Sequence, residues 1–250
     1  MDLGLSGTRA LVTAASKGIG RACAASLAQE GARVVITSRD AALGARVAQE
    51  IGAERHIAAD LARTDDRARI VTEAVGLLGG LDILVVNFPQ PQIGTFESLR
   101  PEAWTGGYEA ILHCQIDLVT AALPLLRQSG RGRIVHITGG AAREPSPGFV
   151  VSAAFRSAAT AVAKTLSIDL ARDGVTVNNI APGSIETEQL RVRMDQRGKA
   201  EEMAWLATLP SRRLGLPEEV GAVCAFLCSR PAAYLTGQTI AVDGGAQKSV

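Results

Sequence analysis

"TAASKGIGRACAASLAQEGA", residues 13–32, is the stretch on which the fold turns. It runs straight on from the apolar "RALV" of residues 9–12, so Gly18 and Gly20 fall at the turn where an Ala-rich helix begins. At such a turn the first backbone N–H groups and the positive end of the helix dipole face outward, and glycine lets a phosphate come close. A glycine pair also serves to end a strand or to pack a turn tightly. Its position directly after a strand and at the head of a helix favours the nucleotide reading.

Moving outward, the same alternation repeats to the end of the chain. "RALVTA" (9–14), "RVVITS" (33–38), "HIAA" (56–59), "DILVVN" (82–87), "RIVHIT" (133–138), "VTVNNI" (175–180) and "QTIAV" (238–242) read as strands. Helix-forming stretches long enough for crossover connections separate them. That order predicts an α/β single-domain Rossmann fold, a doubly wound parallel sheet of about seven strands with helices on both faces. No linker-like block, charge run or repeat divides residues 1–250, so one domain is expected. The least regular stretch, roughly 188–213, has helical character but no strand partner, and it reads as a lid over a pocket.

Composition narrows the function classes. With 47% hydrophobic and 20% charged residues in a chain of 250, the protein has enough apolar material for a substantial core. The 26 basic and 25 acidic side chains nearly cancel, which leaves no basic field to recruit nucleic acid or membrane lipid. The start lacks a basic segment followed by an apolar block, and no uninterrupted apolar run approaches the roughly 18 residues of a membrane span. Cys23, Cys114, Cys224 and Cys228 fall in helix-like segments without the partners of a zinc site, so no metal is expected. Read together, these features describe a soluble cytoplasmic protein with reduced, buried thiols.

The second strand ends "TSRD", where a carboxylate would accept the ribose 2′-hydroxyl of NAD and repel the 2′-phosphate of NADP. Ser38 and Arg39 present a hydroxyl and a guanidinium there instead, which suits a phosphate. Lys17, in the glycine loop, adds a second cation. Each is also an ordinary surface charge taken alone; at these two places together they favour NADPH.

With these motifs in order, the chain resembles a short-chain dehydrogenase/reductase over nearly its full length. Residues Thr13 to Gly20 are similar to the family's TGxxxGxG motif, with Ala14 in place of the first glycine. The resemblance implies cofactor contacts from Thr13, Ser16, Lys17, Gly18, Ile19 and Gly20, and from Ser38 and Arg39. It adds Asp60 and Leu61 of "AADL" at the adenine, and Asn87, the second asparagine of the family's NNAG. "NNIAPGSIET" (178–187) is similar to the segment after strand six, which would lay Pro182, Gly183, Ile185 and Thr187 along the nicotinamide.

At the chemistry end the chain departs from its relatives. The family's Tyr-x-x-x-Lys pair falls on Ser152 and Arg156, its serine on Gly139, and its asparagine on Ile111. A serine hydroxyl is a far weaker acid than a phenol of pKa about 10, and it reaches less far. Arginine can fork onto ribose hydroxyls yet cannot release a proton into a relay. Candidate substitutes are Thr138, beside the missing serine, and Tyr108, which with Gln115 shares the helical stripe of Ile111; packing roles compete for all three. His113 falls on another face of that helix, Glu144 sits in a loop that would border the pocket, and His136 reads as a satisfied core histidine. "NFPQPQIG" (87–94) puts Phe88 and Pro89 where Ala-Gly is expected, reshaping the substrate mouth or simply stiffening a loop.

Two functions follow. One is an NADPH-dependent oxidoreductase with an atypical active site, reducing a carbonyl or related group on a small or carrier-bound molecule. The other is an inactive or non-redox nucleotide-binding regulatory or structural subunit on the same scaffold; a lyase or isomerase is a further variant. The resemblance implies a homodimer or homotetramer built on the helices near 100–126 and 150–171. Arg191, Arg193, Arg197, Arg212 and Arg213, around the expected lid, point to an anionic substrate or to a solvated face.

Overall fold

The computed structural model describes residues 1–196 and 198–249. Its centre is a sheet of seven strands: β1 (Arg9–Val12), β2 (Arg33–Ser38), β3 (Arg55–Ala58), β4 (Ile83–Asn87), β5 (Arg133–Ile137), β6 (Thr176–Pro182) and β7 (Thr239–Val242). All pair in parallel, in the order β3-β2-β1-β4-β5-β6-β7. Each of the seven expected strands is present, shifted by one or two residues at most at its ends.

The strand faces sort into two cores with the period of two that a pleated strand imposes. Ala10, Val12, Val34, Ile36, Ile83 and Val85 pack under α1 (Gly18–Gln29), α2 (Ala41–Glu50) and α9 (Pro217–Cys228). Leu11, Val35, Leu84, Val86 and Ile134 pack under α3 (Thr64–Leu78), α5 (Cys114–Gln128) and α6 (Val150–Leu170). A sheet covered on both sides needs continuous rather than alternating apolar strands, which is how these read. The chain order reverses between β1 and β4, and the crevice outside the carboxyl ends of those two strands is where such sheets bind ligands.

Before α5, α4 (Pro101–Gly107) continues into a π-helical turn, Tyr108–His113. The continuous helix Pro101–Gln128 is long and apolar enough by composition to cross a membrane, but Ile111, Cys114, Leu118, Ala122 and Leu126 bury its apolar face in the core. Two further helices, α7 (Glu188–Asp195) and α8 (Lys199–Thr208), occupy the stretch without a sheet partner. All four cysteines are buried free thiols, and among the described residues no cluster could hold a metal ion.

Candidate functional site

The glycine turn is built as its sequence suggests. Thr13 Oγ1 donates to the Asn87 carbonyl at 3.0 Å and accepts from the Asn87 N–H at 3.0 Å, which ties β1 to β4 at the switch point. Asn87 Nδ2 donates to the Ala14 carbonyl at 3.0 Å and holds the loop. A Cβ on Gly20 would lie 2.5 Å from that carbonyl and 2.6 Å from Asn87 Nδ2, so only glycine fits. Ala14 sits at φ +47°, the left-handed region its glycine counterpart would enter freely. Lys17 precedes α1 without any side-chain cap, so the helix presents uncapped N–H groups to the crevice. The donors fit a pyrophosphate.

The remaining cofactor candidates frame this turn. Thr187 caps α7, its Oγ1 accepting from Leu190 N at 3.3 Å, and its methyl would be 3.1 Å from a Cβ on Gly18. The segment after β6 therefore lies against the glycine loop. Pro182 ends β6, the Gly183 N–H donates to the Val242 carbonyl at 3.0 Å, and Ile185 is buried. Ser16 and Ile19 are half-buried around the turn, and Asp60 Oδ1 accepts from Ala62 N at 3.1 Å. Leu61 is a core residue whose carbonyl accepts from Arg67.

At the end of β2, Ser38 Oγ is 2.9 Å from His56 Nε2, and Arg39 is exposed. Burial lowers the pKa of His56. The sequence offered no reason to notice His56; its link to Ser38 depends on the β2–β3 pairing and on Gly44, where a Cβ would come within 2.1 Å of the imidazole. Lys17 Nζ lies 2.6 Å from Glu188 Oε2 on α7, an exposed ion pair at the edge of the glycine loop.

Three of the departures at the chemistry end, at 88, 139 and 152, lie against Arg156, while Ile111 is buried in the core. Ser152 and Arg156 lie one turn apart in α6, and Arg156 Nε donates to Ser152 Oγ at 3.0 Å. Nη1 donates to the Ile137 carbonyl at 3.0 Å and also to the Thr138 carbonyl. Phe88 lies under the guanidinium, 5.8 Å from its carbon to the ring centroid. A Cβ on Gly139, at φ +108°, would meet only the Arg156 side chain, at 3.9 Å. Burial pushes the Arg156 pKa down to about 10, which leaves it cationic at neutral pH. The substitutions at 88, 139, 152 and 156 thus form one arrangement, which residue-by-residue reading treated as separate losses.

The substitute acids are not brought to this centre. Thr138 is fully buried and its hydroxyl donates to the Ile180 carbonyl at 3.1 Å, a strand-to-strand bond. Tyr108 stacks on His113 with centroids 5.3 Å apart and meets Phe155 edge-on; the π-helical turn puts residues five apart in line, which replaces the stripe assumed from α-helical spacing. Gln115 Nε2 donates to the Ala159 carbonyl at 3.1 Å and fastens α5 to α6. His113 joins Glu109, Asp117 and the buried Arg67 in an ion cluster. Glu144 Oε1 accepts the backbone N–H groups of Lys248 and Ser249 and anchors the C-terminal tail. That tail carries Gln247, which the sequence reading missed: its amide atoms are buried without a partner among the described residues, 3.4 Å from where Gly140 would place a Cβ. His136 is a core histidine as expected. Asn179 of the neighbouring strand is the polar side chain beside its ring, and burial outweighs that contact to lower its pKa to about 3.

Two of the arginines near residues 188–213 pair with carboxylates. Arg191 bridges Glu186 and Glu202, and Arg213 bridges Glu219 at 2.6 Å. Arg193 donates to the Gln189 carbonyl, and Arg212 occupies a left-handed turn at φ +53°. Arg197 lies outside the described residues. The solvated-face reading therefore accounts for Arg191 and Arg213.

A parallel sheet with a bared helix N-terminus at its switch point and a buried cation across the crevice defines a dinucleotide-binding α/β domain. The chain belongs to the short-chain dehydrogenase/reductase family. Residues 13–247 match the family model described as enoyl-(acyl carrier protein) reductase. It is 37% identical over 242 residues to human dehydrogenase/reductase SDR family member 4, across 94% of this chain and 86% of that protein. Among solved structures it is similar to YwfH, an NADPH-dependent reductase involved in bacilysin biosynthesis (TM-score 0.93, 32% identity, 97% of this chain and 99% of the other). It also resembles the L-sorbose reductase of Gluconobacter frateurii solved with NADPH and L-sorbose (TM-score 0.92, 29% identity, all of both chains).

Proposed function

We propose that this chain is an NADPH-dependent reductase with an atypical active site, acting on a carbonyl or related group of a small or carrier-bound molecule. The observation that carries the reading is the uncapped N-terminus of α1 across the crevice from a buried Arg156. The NADPH dependence of YwfH and the NADPH bound to the L-sorbose reductase support it.

In this reading Gly18, Ile19 and Gly20 take the pyrophosphate, and Thr13 and Asn87 keep the turn in shape. Ser38 and Arg39 take the 2′-phosphate, Asp60 and Leu61 border the adenine, and Pro182, Gly183, Ile185 and Thr187 border the nicotinamide. When bound, NADPH supplies a hydride to the acceptor. The chain's own contribution is placement, which provides much of the rate in such reactions. Ser152 already accepts from Arg156 Nε, so its O–H remains to donate toward a substrate oxygen. Proton donation by a well-matched acid is worth about 10²–10⁴-fold, and its loss slows the reaction without forbidding it. The stretch near 188–213 serves as a lid, and the Glu188–Lys17 ion pair ties its first helix to the glycine loop. The protein works in the cytoplasm as a homodimer or homotetramer. The surface of its long helices, with Ile116, Val162 and Ile168 exposed, supports such an interface.

One observation favours the second reading, a non-redox nucleotide-binding subunit: among the described residues no tyrosine, histidine or carboxylate hydrogen-bonds Ser152 or Arg156. A fluorescence titration with NADPH and NADH separates the two. Tight binding with NADPH preferred supports the reductase, and no binding of either dinucleotide rejects it.

A further inference from the structure

We propose that Arg156 is a binding site for a carboxylate on the substrate, so that the protein acts on small organic acids. The proposal rests on the reductase reading for its meaning, but it stands on the geometry of the side chain.

Burying a guanidinium is costly unless charge and hydrogen bonds compensate it. Arg67, the other arginine at this depth in the helical layer, has both, with Asp117 at 2.7 Å and Glu109 at 3.0 Å. Arg156 has hydrogen bonds alone. Its partners are a hydroxyl, two backbone carbonyls and the face of Phe88, all neutral, and among the described residues no carboxylate lies within ion-pair distance. Nη2 makes no hydrogen bond within the described residues. The residue retains about 9% exposure, so an incoming group can reach it. Gly139, with no side chain, leaves the approach clear.

Ribose hydroxyls would satisfy the open donors but bring no charge, so the cofactor does not finish the account. A single negative charge does. A carboxylate fits better than a phosphate: with Nη1 and Nε already engaged, one donor arm remains, and the neighbouring carbonyls of Ile137 and Thr138 would repel a dianion. Phe88 beneath the guanidinium keeps water from screening the pair. The charge of Arg156 persists through the working range, since its pKa remains near 10.

The test uses the full-length protein and reads binding directly. The side-chain Nε–H resonance of Arg156 in a ¹H–¹⁵N spectrum, assigned by its loss in Arg156→Lys, is followed during titration with formate. Formamide serves as the uncharged counterpart, at matched ionic strength. Arg133, also buried but at the far end of the sheet with carbonyl partners, is an internal control. We expect a saturable shift at Arg156 with formate, at least tenfold weaker with formamide, and none at Arg133. Calorimetry with pyruvate and methyl pyruvate should then show at least a tenfold preference for the acid, collapsing to under threefold in Arg156→Gln. An unmoved Arg156 resonance, equal response to formamide, or an acid preference that survives in Arg156→Gln overturns the proposal. Failure of NADPH to bind while formate still shifts Arg156 would overturn the reductase reading instead, and the two outcomes are separate measurements.

Discussion

The two ends of the sheet handle buried charge in opposite ways. At the amino ends of the strands, Asp82 is almost fully enclosed and is met by Arg9 through Nε at 2.9 Å and Nη2 at 2.8 Å, with Arg131 at 3.4 Å. Burial opposes that charge, but the bonds from Arg9 prevail and hold the carboxyl down to about 2. Arg133 is buried beside this cluster, its backbone N–H donating to the Asp82 carbonyl. At the carboxyl ends, Arg156 is buried with neutral partners alone. At the amino end the buried carboxylate is paired inside the chain, although the Arg133 guanidinium beside it meets only the carbonyls of Gly132 and Gly174; at the carboxyl end the buried charge is Arg156, with no carboxylate partner among the described residues. The difference places function where the fold is least self-sufficient.

Substitutions at the two ends should therefore behave differently. Asp82→Ala leaves Arg9 and Arg131 without their shared partner and is expected to cost about 3–5 kcal/mol. In a chain of this size that is a fall in Tm of roughly 10 °C. A loss under about 1 kcal/mol in thermal unfolding would break the comparison. Arg156→Met, at the other end, is expected to leave Tm unchanged or higher while removing the preference for an acid over its methyl ester. Equal destabilisation by the two variants would show that Arg156 is a structural charge.

Acid sharpens the contrast further. His136 is buried neutral, with its folded pKa near 3 and below the ordinary 6.5. The unfolded chain takes up that proton first, so stability falls as pH drops from about 6.5 toward 3. Between pH 7 and 5 the loss should be about 2 kcal/mol by urea unfolding, and His136→Phe should remove most of it. Asp82 acts lower, contributing stability above its ordinary 3.8 that is lost as pH falls toward 2.

The smallest effects lie in the site itself. Ala14→Gly relieves a left-handed alanine and should add about 1 kcal/mol, less the chain entropy glycine brings. Ser152→Ala should lower turnover by less than about tenfold, against the 10²–10⁴ that loss of a true acid costs. A complete loss of turnover with the fold intact would make Ser152 an essential donor.

Much of this was legible in the chain alone. Continuous apolar runs separated by crossover-length helical stretches were enough for seven parallel strands, because a doubly covered sheet demands them. The glycine turn was legible for a similar reason: Gly18 and Gly20 act locally, through backbone conformation and close approach, and both are neighbours in sequence. Residues 13, 87 and 187 could be assigned only through likeness to a family, and the structure brings them together at the crevice.

What the sequence could not supply were relations between distant residues. Lys17 reaches Glu188, Ser38 reaches His56, and Gln247 returns beside Gly140, each across a span that only packing closes. Tyr108 was misplaced because a π-helical turn changes the residue phase, and a pattern of apolar spacing does not reveal one extra residue per turn. Above all, the substitutions at 88, 139, 152 and 156 read singly as missing parts. Burial decides that they are one site, since a guanidinium's need for compensation depends on its depth, and depth is set by the whole fold.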